Sequence, residues 1–303
     1  MHGFTDGAVV AGIDGSSSAV RAAVWAGHEA HRRGRPLRLV QVYTLPQVRA
    51  PMAVGAHEQV RAGLADQAEG RLADARAAVL AEHPGLEITT AAREWSPVTA
   101  LTQESQHAEL LVLGSRGLGG FTGLLVGSTA VAVAAHTHCP IVVVRGRNPH
   151  DPPPGTGPVV VGADGSPNSD AALGFACEEA RLRGTALIAV HTWSDILADG
   201  MLRPHPLQEN PDEIAAAERV KLAEQVVGWQ RKYPDLAIEF EVSRGRPVRT
   251  LLERGERAQL IVVGCRGRGG FTGMLLGSTS QALIAHSPCP VAVVRPQRTG
   301  SGT

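Results

Sequence analysis

The stretch Gly114–Thr129, GSRGLGGFTGLLVGST, recurs 150 residues later as GCRGRGGFTGMLLGST over Gly264–Thr279, with 12 of the 16 positions identical. The same offset lays VVAGIDGS, from Val9, on VVVGADGS, from Val159, and Cys139-Pro140 on Cys289-Pro290. One register running through both halves means a duplicated domain rather than a short solenoid repeat. A chain of 303 residues also suits two domains of ordinary size. Between the copies, residues 145–158 read RGRNPHDPPPGTGP, with too many prolines and glycines for a helix or strand. The expected organisation is a first domain over 1–146, a linker at 147–158 and a second domain over 159–296, with loose ends outside them.

Each half alternates short β-branched runs with longer helical patterns. In the first half, strands are expected at 8–14, 37–43, 86–93, 110–114 and 140–144. Helices are expected at 18–34, at about 58–83, from Pro97 and from Ser128, and the second half repeats the order. Continuous apolar runs such as VVAGI, LLVLG and IVVV suit strands covered on both faces. The fold class is therefore α/β: a five-stranded parallel sheet in each half, with helices on both faces. Ser16 to Ser18 and Pro167 to Ser169 offer caps for the first helix of each half, and Gly34 and Gly184 fall where that helix must end. In such sheets ligands sit beyond the carboxyl ends of the strands, where the strand order reverses. Asp14 and Gly114 both belong to that edge.

The spacing Gly114-x2-Gly117-x9-Gly127-Ser128, repeated as Gly264-x2-Gly267-x9-Gly277-Ser278, has the layout of a phosphate cradle. Glycines let backbone N–H groups approach phosphate oxygens, and a Gly-Ser that opens a helix adds uncommitted donors at the positive end of the helix dipole. Ser128, Thr129, Ser278 and Thr279 can add hydroxyls. A single such loop reads equally well as a flexible connection, but two near-identical copies in register favour phosphate. Lys221 and Lys232 are the only lysines, against 27 arginines, and neither stands near a glycine loop. Arg116 and Arg266 inside the loops, and Arg268 beside the second, are candidates to neutralise phosphate. Arginines turned to water are the other reading.

The G-x2-G-x9-G-[S/T] pattern, the Asp ending the first strand and the C-P-[I/V]-x-V-V final strand together resemble the universal stress protein family. The resemblance covers 8–145 and 159–295, in the tandem form common in actinobacteria. It implies two Rossmann-like domains of the adenine nucleotide alpha hydrolase-like type, each with sheet order 3-2-1-4-5. It further implies binding of ATP, usually with a divalent metal such as Mg, and a role in stress, dormancy or growth control without a defined catalytic turnover. By position it puts Gly12 and Asp14 at the end of the first strand on the ribose or metal side, and Val42 beside the adenine. Leu113, Gly114, Arg116, Gly117, Gly127, Ser128 and Thr129 then surround the base edge, ribose and phosphates. The matching residues of the second half are Gly162, Asp164, Thr192, Val263, Gly264, Arg266, Gly267, Gly277, Ser278 and Thr279. For Asp14 and Asp164 a turn or helix-capping carboxylate is the alternative, and the two roles are compatible.

Gly245 matches the glycine usual before the third helix, but the first half has Trp95 there, an indole large enough to narrow or cover the adenine side. Thr192 in place of Val42, and Cys265 in place of Ser115, make the second pocket more polar and thiol-bearing, so the two sites are expected to differ in affinity. His136-x-His138-Cys139 invites a metal-site reading, yet its counterpart is His286-x-Pro288-Cys289 and no second cluster completes a ligand set. A helix end leading into the last strand accounts for it better. The four cysteines show no paired close spacing and read as reduced thiols, with Cys139 and Cys289 as small buried groups.

Equal numbers of basic and acidic residues, 29 each, and 4% aromatics give little support for nucleic-acid binding. No run approaches the roughly 18 apolar residues of a membrane span, and the N-terminus lacks a signal pattern, so a cytoplasmic protein is expected. The absence of GxxxxGK[ST], of a GxGxxG after the first strand and of GxSxG argues against a P-loop ATPase, a dehydrogenase and a hydrolase. An adenylyl-transfer enzyme on a related fold would need histidine or lysine aimed at the α-phosphate, and no HxGH or lysine-bearing loop stands near the cradle. The expected function is non-enzymatic: ATP orders the loop and so changes a surface for dimerisation or for an unidentified protein partner. The competing expectation is a nucleotide-free scaffold. In either case the apolar final strands, Ile141 to Val144 and Val291 to Val294, are the edges through which the halves would pair within the chain, with a homodimer beyond that.

Overall fold

The computed structural model describes residues 5–46, 54–117, 126–148, 151–193, 211–268 and 274–296. The chain divides into two compact units, Met1–Val144 and Arg145–Thr303. The first runs β1 (Val9–Ile13), α1 (Ser17–Arg33), β2 (Leu37–Tyr43), α2 (Val54–Glu82), β3 (Ile88–Glu94), α3 (Pro97–Glu104), β4 (Leu110–Gly114), α4 (Ser128–His136) and β5 (Ile141–Val144). The second runs β6 (Val159–Gly162), α5 (Pro167–Arg183), β7 (Leu187–Trp193), α6 (Pro211–Lys232), β8 (Ile238–Arg244), α7 (Pro247–Gly255), β9 (Leu260–Gly264), α8 (Ser278–His286) and β10 (Val291–Val294).

Within the first unit the strands lie in the order β3-β2-β1-β4-β5, and within the second in the order β8-β7-β6-β9-β10. All their pairings are parallel, and Val9 faces both Leu37 and Leu110 as Val159 faces both Leu187 and Leu260. The apolar strand runs are buried because helices cover both faces: α1 packs with α2, and α3 with α4. Leu37, Leu39, Leu110, Leu111 and Ile141 are fully buried in the first unit, as are Leu187, Leu260, Ile261 and Leu283 in the second.

Helix boundaries follow their caps. Ser16 Oγ accepts from Ala19 N at 3.1 Å to start α1, and Gly34 ends it in the left-handed region at φ 61°. In the second unit the cap is Ser166, whose Oγ accepts from Ser169 N at 3.2 Å. It stands one residue before the expected 167–169 because Pro167, with no N–H to satisfy, occupies the first turn. Helix α2 begins at Val54, four residues earlier than its periodicity suggests. Strand β3 begins only at Ile88, because Leu86 N closes a turn on His83 O at 3.1 Å.

The proline-rich connection is tied to the second unit. Arg145 donates from Nε to Ser287 O and from Nη1 to Ile284 O, both at 3.1 Å, and Arg147 Nη2 donates to Glu256 O at 2.7 Å. Among the described residues no helix is long and apolar enough to cross a membrane.

Candidate functional site

In each sheet the chain reverses direction across its first strand. From β1 it moves through β2 to β3 on one flank, then returns to β4 on the other. The mouth lies at the carboxyl ends of β1 and β4, with the start of α1 on one side and the start of α4 on the other. Asp14 and Ser115 to Gly117 therefore meet although about 100 residues separate them.

Hydrogen bonds knit these segments together. Asp14 Oδ1 accepts from Ser16 N at 2.9 Å, Ser16 Oγ donates to Arg116 O at 3.1 Å, and Arg116 N donates to Ser18 Oγ at 3.4 Å. In the second unit Asp164 Oδ1 accepts from Ser166 N and Oδ2 from Arg268 N, each at 2.9 Å. Burial by itself would raise the Asp164 carboxyl; hydrogen bonds from Ser166, Arg268 and Ser169 outweigh it and hold the pKa below the ordinary value. Asp14 and Asp164 are thus turn carboxylates at the rim of the mouth, with Gly117 and Gly267 against their second oxygens.

The glycines of the motif differ in what they do. A Cβ on Gly117 would lie 2.5 Å from Asp14 Oδ2, and one on Gly267 2.6 Å from Asp164 Oδ2, so both positions exclude a side chain. A Cβ on Gly114 would fall 2.7 Å from Ser18 Oγ, and on Gly264 2.8 Å from Asn168, so these two permit β4 to pack on the start of α1 and β9 on the start of α5. Gly12 and Gly162 likewise make room for Leu113, and for Leu251 and Val263, beneath the mouth. Gly127 and Gly277 are different again. Their backbones (φ −70°, ψ 137° and φ −72°, ψ 155°) suit any residue. Among the described residues, a Cβ on Gly127 would meet nothing nearer than 3.7 Å, and one on Gly277 nothing nearer than 3.4 Å. What a side chain would do there is lie over the amides of Gly117 and Gly267, 3.8 and 3.9 Å away.

Gly127 and Gly277 are also the N-caps of α4 and α8, and neither helix start has a side-chain cap. Their own N–H groups close the base of the loop on Ser115 O and Cys265 O, both at 2.8 Å. Among the described residues the first-turn amides of α4 and α8 therefore have no capping side-chain oxygen, unlike those of α1 and α5. Ser128 and Ser278 are exposed there, Thr129 and Thr279 half-buried, and Arg116 half-buried where Arg266 is exposed. Leu113 and Val263 are buried below, while Val42 and Thr192 stand half-buried at the ends of β2 and β7. The middle of each loop, 118–125 and 269–273, lies outside the described residues, as do 47–53 and 194–210 in the long connections.

One residue at the mouth has no place in the glycine pattern. Gly15 follows Asp14 at φ 88°, and a Cβ on it would fall 2.6 Å from both Cδ and Nε of Arg71, so the Arg71 side chain, from α2, lies across this turn. Over the matching Gly165, at φ 78°, lies the guanidinium of Arg268. The spacing analysis reached Arg268 through the loop but not Arg71, one of several arginines on a long helix. Its only sequence signal is that the 150-residue register sets it opposite Lys221.

Trp95 is 57% exposed, with its backbone N–H donating to Tyr43 O at 3.1 Å and its backbone carbonyl accepting from Thr44 Oγ1 at 2.9 Å. Cys265 is buried and its Sγ donates to Asn168 Oδ1 at 3.3 Å, so this thiol packs against α5 instead of lining an open pocket. Burial pushes the thiols of Cys139 and Cys289 up to about 11 and about 12, leaving both unreactive. His136 Nδ1 donates to Ala132 O at 2.8 Å and His138 N to Ser105 Oγ at 3.0 Å, which makes this segment a helix end. Among the described residues no group of three or more His, Cys, Asp or Glu is arranged to hold a metal ion.

Both units match the model of the universal stress protein family, over residues 7–145 and 156–295. A universal stress protein of Mycolicibacterium smegmatis is 36% identical over 306 residues, covering 98% of this chain and all of its own. One from Mycobacterium tuberculosis is 37% identical over 298 residues, covering 96% of this chain and 97% of its own. Among solved structures, a universal stress protein from Archaeoglobus fulgidus shares the fold with a TM-score of 0.68 at 22% identity, covering 96% of this chain and 99% of that one.

Proposed function

Because the chain belongs to the universal stress protein family, we propose that each unit binds an adenine nucleotide, ATP with Mg, and that binding rather than turnover is the function. The observation that supports this is the pair of glycines at 127 and 277. Their backbone geometry suits any residue and, among the described residues, nothing packs too closely for a Cβ, yet both lie beside the Gly117 and Gly267 amides at a helix start with no side-chain cap. Such a strip suits phosphate, because N–H dipoles and the helix terminus supply positive potential with little reorganisation.

In this reading the phosphates lie along Gly117 and the first turn of α4, with the Ser128 and Thr129 hydroxyls in reach. The adenine rests against the end of β2 at Val42, and the ribose stands near Asp14. Gly267, Ser278, Thr279, Thr192 and Asp164 do the same in the second unit. Magnesium, when bound, neutralises part of the phosphate charge. The aspartate at each mouth suits an ion carried in on the triphosphate, since Mg commonly takes one or two carboxylates and keeps water. Seating phosphate removes conformational freedom from the glycine loop, and that ordering is the signal passed to a dimer interface or partner in stress or dormancy control.

The test is nucleotide content. Purified protein, denatured and chromatographed, should release one adenine nucleotide per unit. Gly127→Val lays a branched side chain over the Gly117 amide without a clash, and should remove the first unit's share alone. Gly127→Val with Gly277→Val should release none. Unchanged content in these variants would overturn the cradle, and protein that neither carries nor takes up nucleotide would leave the scaffold reading.

A further inference from the structure

Gly15 and Gly165 hold the same place in their units, at the turn from β1 into α1 and from β6 into α5, and an arginine covers each. The two arginines come from different parts of the chain. Arg71 reaches over from α2; Arg268 belongs to the loop after β9. Where the second unit would place a counterpart to Arg71 it has Lys221, which is turned to Glu218 at 2.6 Å. Where the first unit would place a counterpart to Arg268 it has Leu118. Each unit thus brings an arginine side chain over the same turn, beside the aspartate, by a separate route: Arg71 lies there by its Cγ, Cδ and Nε, and Arg268 by its guanidinium. The stretch between Asp14 and Ser16 is a tight turn whose second residue lacks a side chain, so an arginine side chain can lie close to the backbone at the rim of the mouth, within reach of a phosphate bound there.

We propose that Arg71 and Arg268 are the phosphate-recognising cations of their units. Each meets the phosphate tail from the α1 or α5 side while the amides of the glycine loop hold the other. The inference rests on the nucleotide reading above and adds its selectivity: a site of this kind distinguishes ATP from adenosine by charge. It also separates the two units. Arg71 is carried by a helix, whereas the backbone N–H of Arg268 is itself bound to Asp164 Oδ2 at 2.9 Å, so the second cation takes its position only when the loop is docked.

The experiment is calorimetric titration of the full-length chain carrying Gly277→Val, which isolates the first mouth, with ATP and with adenosine. Arg71→Gln and Arg71→Met in that background should weaken ATP about tenfold or more, as loss of a charge-assisted contact does, and leave adenosine unchanged. Arg71→Lys should recover part of the loss. Arg268→Gln in a Gly127→Val background should behave alike at the second mouth. ATP affinity that is unchanged, or ATP and adenosine weakened equally, overturns the clamp while the nucleotide reading stands. If the Gly277→Val background binds neither ligand, the nucleotide reading falls at this mouth and the clamp with it.

Discussion

Glu104 is buried between two arginines: Arg38 Nε and Nη2 donate to its carboxylate at 2.9 and 3.3 Å, and Arg93 Nη2 stands 2.7 Å from Oε1. Arg38 is only 4% exposed and Glu104 1%, so neither charge can turn to water. The second unit has no such triad, because the aligned positions are Ile188, Ser243 and Arg254. Breaking a buried pair from one side strands the partner's charge and costs about 3–5 kcal/mol. Glu104→Ala should therefore lower the first unit's unfolding free energy, read from urea titration, by about that amount while the second unit's transition stays in place. A shift within the range of a surface substitution would show that the arginines reach solvent in the variant. The same scale separates residues that one motif had grouped together: Gly114 serves packing, Gly117 yields to a carboxylate and Gly127 uncovers amides. Spacing places all three in one loop but says nothing of what would touch a Cβ.

Helix ends were legible where the signal was local. Gly34 and Gly184 close α1 and α5 in the left-handed region, both at φ 61°, as a glycine after a helical period suggests. Among the described residues a Cβ on Gly184 would meet nothing within 4 Å, so Gly184→Ala tests backbone conformation. It should cost about 1 kcal/mol, the left-handed penalty of a residue with a Cβ. Gly70→Ala, inside α2 and also without neighbours within 4 Å, should instead stabilise by about 0.5–1 kcal/mol. Equal effects in denaturant titration would mean that the two helices fray differently from their hydrogen-bond patterns. The cap at Ser166 and the early start of α2 were less legible. The first depended on how Pro167 is seated, and the second on a period too weak to mark where the helix starts.

Duplication did not make the molecule symmetric. In the first unit His83 Nε2 and His28 Nδ1 share a hydrogen bond of 2.7 Å, and His31 stacks on His83 with ring centroids 4.8 Å apart. The aligned residues of the second unit are Tyr233, Glu178 and Arg181. Burial first, then His31 and Arg32 on α1, hold the His83 pKa below its ordinary value, with Glu82 opposing. The unfolded chain consequently takes up a proton from about pH 6.5 downward while the folded unit resists until its lower pKa is reached, and stability falls across that window. Hydrogen exchange of the whole chain should show the first unit losing protection on mild acidification ahead of the second. His83→Tyr should reduce the difference, and an unaltered acid response in that variant would count against the cluster.

The chain by itself determined the duplication, the α/β class, the buried parallel strands and the paired glycine loops, because each is written in periodicity or self-similarity along neighbouring positions. Tertiary structure alone decided which glycines are packing and which leave amides open, that Arg71 lies at the mouth, and that Glu104 is enclosed by Arg38 and Arg93. Those contacts join residues tens of positions apart through crossover helices. Their distances depend on how helix and sheet pack, and no local period encodes that.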